Sequence, residues 1–146
     1  MYVDECGFEP SAARRFGYAR KGQRVYGGIS GHKRPRTSFL AARMQDGSLC
    51  ATLLWQGTCN TQTFNQWCDQ CLCPLLNNES VLVLDNAAFH KSQTTRQLIE
   101  KQGAKILFLP AYSPDLNPIE HDFGALKKLR EYNHEKSIDE IIRMYK

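Results

Sequence analysis

The chain has 146 residues, 42% of them hydrophobic, and a net charge of +4, which suits one globular domain with its own core. No apolar stretch approaches the ~20 residues that a membrane-spanning helix needs. Residues 1–5 also lack the basic and apolar regions of a secretory signal. We therefore expect a cytoplasmic protein with a single domain over residues 1–146.

The first third of the chain combines predicted strands with a glycine-rich segment. Residues 1–8 and 36–44 have the composition of strands, and Asp46-Gly47 is a hairpin signal leading to a third strand at 49–55. Five glycines interrupt residues 9–35, which are predicted to be irregular or hairpin-like.

Basic residues are concentrated in the same region. From Pro10 to Gln45 there are nine Lys and Arg and no Asp or Glu, with Phe and Tyr interleaved. Basic side chains that bind phosphates and aromatic rings that stack on bases are typical of a nucleic-acid-binding surface. A solvated basic loop has the same composition. We predict DNA contact by eight of these side chains: Arg14, Arg15, Arg20, Lys21, Arg24, Lys33, Arg34 and Arg36.

Residues 61–76 have helical periodicity and a cap at Asn60 or Thr61. This segment holds three of the six cysteines, Cys68, Cys71 and Cys73. A zinc site usually needs a second ligand pair at its own spacing, and only Cys59 is nearby. Packing of these thiols in the core is the favoured interpretation, with zinc as the alternative.

The second half alternates strands and helices. Strands are predicted at 80–84 and 105–109, with a helix at 91–102 that stops at Gly103. A helix at 118–132 has Asn117 as its N-cap and Pro118 at its first position, and a capping box at Ser137 opens a last short helix. This order predicts an α/β fold: a mixed sheet with helices on both faces.

Three carboxylates stand at strand or helix ends. Asp85 ends the apolar run 81–84, Glu120 follows 34 residues later in a proline-rich loop that opens a helix, and Asp4 lies in the first strand. Sites in mixed sheets gather where strand direction switches, which would bring Asp4 and Asp85 side by side. Oxygen ligands on rigid elements suit two divalent cations that hold a phosphodiester between them.

Each of these residues has a structural alternative. Glu120 could merely complete a helix cap, and Glu5 and Glu9 compete with Asp4, although Asp4 and Glu5 should face opposite sides of the sheet. His90 could steer a phosphate or a water, or it could cap the next helix.

Three blocks of the sequence resemble the catalytic blocks of DDE transposases in the mariner / insertion-sequence-630 superfamily. The gap of 34 residues matches that group, as does the Gly22-Gln23-Arg24 segment. The blocks are Val3-Asp4-Glu5 with Gly7-Phe8, then Val83-Leu84-Asp85-Asn86-Ala87 with His90, then Leu109-Pro110 with Tyr112-Ser113-Pro114-Asp115-Leu116-Asn117-Pro118-Ile119-Glu120.

The resemblance implies a ribonuclease H-like fold with a five-stranded sheet. It also implies catalytic and metal-binding roles for Asp4, Asp85 and Glu120, with Asn86, His90 and Asn117 in support. The activity would be Mg²⁺- or Mn²⁺-dependent cleavage at transposon ends followed by strand transfer. Phe123 stands where members of the family often have Trp.

The implied partners are double-stranded DNA and further copies of the chain. Members of this family carry a helix-turn-helix region before the first Asp, and we expect this chain to lack it, as the second reading frame of a split element, a fragment or a decayed copy would. In a split element, a bacterial-type insertion element, a separately encoded helix-turn-helix chain is a further expected partner. Two alternatives stay open: another ribonuclease H-like nuclease, such as a resolvase, and an inactive remnant that only binds DNA or a partner chain.

Overall fold

A computed structural model describes residues 1–9, 17–26, 36–111 and 113–145. Five strands form one sheet in the order β3-β2-β1-β4-β5. The strands β1, β2 and β3 are antiparallel neighbours, whereas β4 and β5 run parallel to β1. The strand bounds are Tyr2–Phe8 (β1), Thr37–Arg43 (β2), Leu49–Gln56 (β3), Val81–Leu84 (β4) and Lys105–Phe108 (β5).

The hairpin between β2 and β3 confirms the predicted turn. Gly47 has a φ of +90°, which glycine adopts without strain, and Met44 N–H donates to the Ser48 carbonyl at 2.9 Å. Farther along, the register shifts between Leu40 and Ala42. At this bulge Ala51 has a φ of +50°, and its carbonyl accepts a hydrogen bond from Trp67 Nε1 at 2.5 Å.

Helices cover both faces of the sheet, as predicted, because each strand alternates its side chains. On the first face, Val3, Leu40 and Leu84 pack against two helices, α1 (Thr61–Trp67) and α2 (Gln93–Lys101). On the second face, Cys6, Phe8 and Phe39 pack against α3 (Ile119–Tyr132) and α4 (Ile138–Met144). No helix in the described ranges is long and apolar enough to cross a membrane.

The predicted helix over 61–76 is wrong in its second half. Asn60 caps α1 as predicted, because its Oδ1 accepts from Thr63 N–H at 2.9 Å. The α-helix ends at Trp67, and a π-turn (Cys68–Leu72) and a 3₁₀ turn (Cys73–Leu75) follow. Pro74 has no N–H, and its ring would clash with the carbonyl four residues back in a continued α-helix.

The cysteines of this segment act mainly as core residues. All six cysteines of the chain are free thiols, and Cys68 and Cys73 are buried. Burial raises the pKa of the Cys68 thiol. These thiols fill space in the core, in agreement with the favoured interpretation.

The helix predicted over 91–102 begins later. Residues Ala88–Lys91 form a separate 3₁₀ turn, and Ser92 caps α2 by accepting from Thr95 N–H at 3.0 Å. Gly103 ends this element with a φ of +77°. A side chain there would also crowd Asn78, because an added Cβ would lie 3.2 Å from its backbone. The predicted capping box of α4 is present at Ser137 and Glu140.

One buried acid joins three elements on the second face. Asp122 of α3 accepts from Arg43 Nε of β2 at 2.7 Å and from the Tyr145 hydroxyl, just after α4, at 2.6 Å. The burial of Tyr145 and its bond to Asp122 raise the pKa of this phenol to about 12. The interaction was not visible in the sequence, because Asp122 lies in the first turn of a helix, where acids are common at exposed positions.

Replacement of Asp122 tests this junction. We expect Asp122→Ala to lower the free energy of unfolding by about 2–3 kcal/mol, since it leaves the partly buried Arg43 without its acceptor. Urea denaturation measures the change. Asp122→Asn keeps the shape of the side chain and one acceptor, so it should lower the free energy of unfolding by less. Equal stability of wild type and Asp122→Ala would contradict the role of Asp122 in joining these elements.

Candidate active site

The sheet topology brings two of the predicted acids together. Val3 on β1 pairs with Leu84 on the parallel strand β4, so the next residues, Asp4 within β1 and Asp85 just beyond the end of β4, are neighbours. A cleft of about 510 Å³ opens there, and Glu120 from the first turn of α3 also lines it. The other lining residues are Glu5, Asn86, Ala87, Leu109, Pro110, Ala111, Ser113, Pro114 and Asn117.

Asp4 is the most buried of the three acids, with 6% of its surface exposed. Its Oδ1 accepts from Glu5 N–H at 2.8 Å, and its Oδ2 accepts from Asn117 Nδ2 at 2.9 Å. Its pKa is raised to about 8, mainly by burial and in addition by the nearby charges of Glu120, Glu5 and Asp85, against the lowering effect of the backbone hydrogen bond from Glu5. Asp4 therefore carries a proton at neutral pH.

Asn117 has a different role from the predicted one. It was expected to cap α3, but its side chain reaches β1, and Pro118 occupies the cap position without a side-chain bond. The backbone closes the first turn instead, with Glu120 N–H donating to the Asn117 carbonyl at 3.1 Å. Asn117 thus anchors the proline-rich loop to Asp4. Its Oδ1 is buried without a hydrogen-bond partner in the described part of the chain.

Asp85 is more open and is held differently. Its Oδ1 accepts from Ala87 N–H at 3.0 Å and lies 2.6 Å from Nδ1 of His90, while 46% of its side chain stays exposed. The close contact with Nδ1 of His90 lowers the pKa of Asp85, and the hydrogen bond from Ala87 N–H adds to this effect. Asp85 is therefore charged at neutral pH.

His90 is fully buried and does not cap α2, since Ser92 does so. The capping alternative was wrong. Its ring lies 4.4 Å from the Phe64 ring and 4.3 Å from the Phe89 ring, centroid to centroid. The sequence signal for such a site residue was only its position five residues after Asp85.

Glu5 faces the opposite side of the sheet from Asp4, as strand alternation predicted. Its Oε2 is buried, 3.8 Å from Nε2 of His90. Burial raises the pKa of Glu5, and the charges of His90 and Arg36 oppose that shift. Glu9, the other rival of Asp4, is exposed after the end of β1.

The four predicted DNA contacts that the structure describes are exposed. Arg20, Lys21 and Arg24 lie on or beside a turn in which Gln23 N–H donates to the Arg20 carbonyl at 2.9 Å and Gly22 has a φ of +88°. Arg36 lies over Gly7, in the space that a side chain at Gly7 would occupy. Four other predicted DNA contacts lie outside the described residues: Arg14, Arg15, Lys33 and Arg34.

The mixed sheet with a carboxylate-lined cleft defines an α/β fold with a candidate site beside its parallel strands, and sequence comparison identifies the family. The model of the DDE superfamily endonucleases matches residues 1–142, so the chain belongs to that family. A stretch of 45 residues is 44% identical to the transposable element Tc3 transposase of Caenorhabditis elegans, covering 31% of this chain and 14% of that protein.

Solved structures agree on the fold. The Mos1 mariner paired-end complex with Mn has a TM-score of 0.64 and 20% identity, over 97% of this chain and 50% of that one. The Mos1 paired-end complex with the left transposon end has a TM-score of 0.65 and 20% identity, over 88% and 41%. The chain thus spans half or less of these relatives. The predicted ribonuclease H-like fold is confirmed.

The donor set fits a hard divalent cation. Carboxylate oxygens from Asp4, Asp85 and Glu120 line the cleft, and their mutual repulsion raises the pKa of Asp4. Within the described residues, no three or more His, Cys, Asp or Glu side chains already form a group that could hold a metal ion.

The raised pKa of Asp4 has a consequence for stability. The folded chain holds this proton up to about pH 8, whereas the unfolded chain releases it near 3.8, so Asp4 costs stability increasingly as pH rises between those values. We expect Asp4→Asn, without divalent metal, to raise the melting temperature at pH 8 by at least about 3 °C.

The gain in melting temperature should be smaller at pH 5, because Asp4 is then protonated in the folded wild type and costs less stability. Melting curves at both pH values measure it, with Asp115→Asn as the control at an exposed acid. A gain of the same size at both pH values would show that charge at Asp4 is not the cause.

Proposed function

We propose that this chain is a transposase catalytic domain that cuts DNA at the ends of a mobile element and joins the freed 3′ ends to target DNA. The observation that supports this most is the meeting of Asp4, Asp85 and Glu120 in one cleft of a chain that belongs to the DDE endonucleases. The first reaction is hydrolysis of a phosphodiester, which leaves a 3′-hydroxyl. In the second, that hydroxyl attacks a target phosphodiester and displaces its 3′ oxygen, so one P–O bond forms for each that breaks.

Divalent cations, two Mg²⁺ or Mn²⁺, would supply charge neutralisation and an activated oxygen nucleophile when bound. Asp85, which is charged and half exposed, would hold the cations together with Asp4 and Glu120. Asn117 would orient Asp4 through its hydrogen bond. We assign a phosphate contact to Asn86, which is exposed at the cleft.

Double-stranded DNA is the proposed partner. One of the similar solved structures is a Mos1 transposase complex with a transposon end, and the basic residues of this chain have the chemistry to contact phosphates. We further propose an active complex with more than one copy of the chain, and a separately encoded helix-turn-helix chain that reads the transposon ends. Such an element would act on DNA in the cytoplasm of a bacterium-like host.

Metal binding and cleavage test the carboxylate site together. We expect wild type to bind Mn²⁺ and to nick supercoiled plasmid DNA in its presence, and Asp85→Asn to lose both by about 10²-fold or more, since this removes a direct ligand. Mn²⁺ titration followed by electron paramagnetic resonance measures the binding.

Asp69→Asn is the control, because Asp69 is exposed on the π-turn after α1. A folded wild type that neither binds Mn²⁺ nor cuts DNA would favour the inactive-remnant alternative. Cleavage retained in Asp85→Asn would refute the carboxylate assignment.

The turn that carries Arg20, Lys21 and Arg24 gives a separate prediction. Replacement of all three by Ala should weaken binding to duplex DNA and reduce the slope of log K against log salt by about 0.9 for each phosphate that is no longer neutralised. Fluorescence anisotropy over a salt series measures it. The charge-matched control replaces the exposed Arg96, Lys101 and Lys105 by Ala. Equal slopes in the two triple variants would show that the turn contributes no more to DNA binding than other exposed basic residues do.

A further inference from the structure

We propose that Glu5 and His90 form a pair of positioning residues that orients Asp85 in the cleft. The inference rests on the proposed function of that cleft and adds a role for Glu5. The three side chains lie in a row: Oε2 of Glu5 is 3.8 Å from Nε2 of His90, and Nδ1 of His90 is 2.6 Å from Oδ1 of Asp85. Glu5 comes from β1, Asp85 follows β4, and His90 lies in the 3₁₀ turn between β4 and α2.

The His90 ring has little freedom to turn. It is 1% exposed, and the rings of Phe64 and Phe89 lie against it. A carboxylate can only accept, so the short contact with Asp85 requires the proton on Nδ1 of His90. The remaining nitrogen, Nε2, faces Glu5, and only a protonated Nε2 is attracted by that carboxylate; a ring with protons on both nitrogens would be held with Nδ1 directed at Asp85.

Asp85 needs such support more than Asp4 does. Asp4 lies within a strand and is fixed by two hydrogen bonds, whereas Asp85 lies just beyond the end of β4 with nearly half of its side chain exposed. A ligand that is free to change rotamer must be ordered when a cation binds, which lowers affinity. A buried imidazole between two carboxylates removes that freedom before binding.

Packing alone does not explain Glu5. Its side chain is directed to the core side of β1 with a buried oxygen that has no hydrogen-bond partner among the described residues. An apolar residue would fill this space without the cost of burying a carboxylate. Arg36, whose guanidinium covers Gly7, is the other charged group that lowers the pKa of Glu5. The charge of Glu5 is therefore balanced on both sides.

Mn²⁺ affinity, measured by electron paramagnetic resonance, tests the pair without any DNA. We expect Glu5→Gln and His90→Phe each to weaken Mn²⁺ binding about 10-fold, as loss of a residue behind a metal ligand does. The double variant should bind no more weakly than His90→Phe alone, because Glu5 acts only through His90. Glu9→Gln, which removes an exposed charge from the end of β1, should bind as wild type does.

A rescue variant separates positioning from packing. The amide of His90→Asn can donate to Asp85 as Nδ1 does but cannot reach Glu5, so it should bind Mn²⁺ more tightly than His90→Phe. Adding Glu5→Gln to His90→Asn should leave the Mn²⁺ affinity unchanged. Additive losses, or a Glu5→Gln affinity equal to that of Glu9→Gln, would overturn the proposal.

Metal-free NMR gives a second readout if a His90 variant fails to fold. In wild type, a proton on Nδ1 of His90 should be observed with slow exchange, and Glu5→Gln should exchange it about 10-fold faster while Glu9→Gln leaves it unchanged. Absence of that proton in wild type would overturn the pair. Failure of the cleft itself is distinct: Asp85→Asn would then bind Mn²⁺ as well as wild type does.

Discussion

The hydrogen bond between Asn117 and Asp4 connects the two parts of the chain that the cleft requires. It joins the loop before α3 to the first strand, across 113 residues of sequence, and it is buried. Together with the packing of the buried Ile119 against β1, this bond places the first turn of α3, which carries Glu120, beside the acids of the sheet. Because buried polar groups are costly unless paired, this bond also specifies how the loop docks.

The second constraint is electrostatic. Asp4, Glu5, Asp85 and Glu120 line one cleft, and folding brings their charges together at the expense of stability. The environments of these acids differ. Asp85 receives donors and remains charged, whereas Asp4 is desolvated, so its pKa is raised to about 8. A site that destabilises its own ligands gains stability when a cation binds, which is the usual compromise between stability and function.

Particular elements show how far sequence reasoning reached. The hairpin at Asp46-Gly47, the cap at Asn60 and the capping box at Ser137 are local patterns, and the structure has all three. The long helix predicted over 61–76 is an α-helix only to Trp67; tighter and wider turns follow up to Pro74, whose missing N–H outweighs side-chain periodicity. Asn117 was misread because an Asn before Pro at a helix start suits a cap equally well, and only the strand beside it decides which bond forms.

The sequence by itself determined the order of the strands and helices, the family and the positions of the three acids. These follow from short patterns and from residues at fixed spacing. Only the tertiary structure decided that His90 lies between Glu5 and Asp85, that Asn117 holds Asp4, and that Asp122 joins α3 to β2 and to Tyr145. Such contacts join residues far apart in sequence, and burial sets their strength, so no local pattern encodes them.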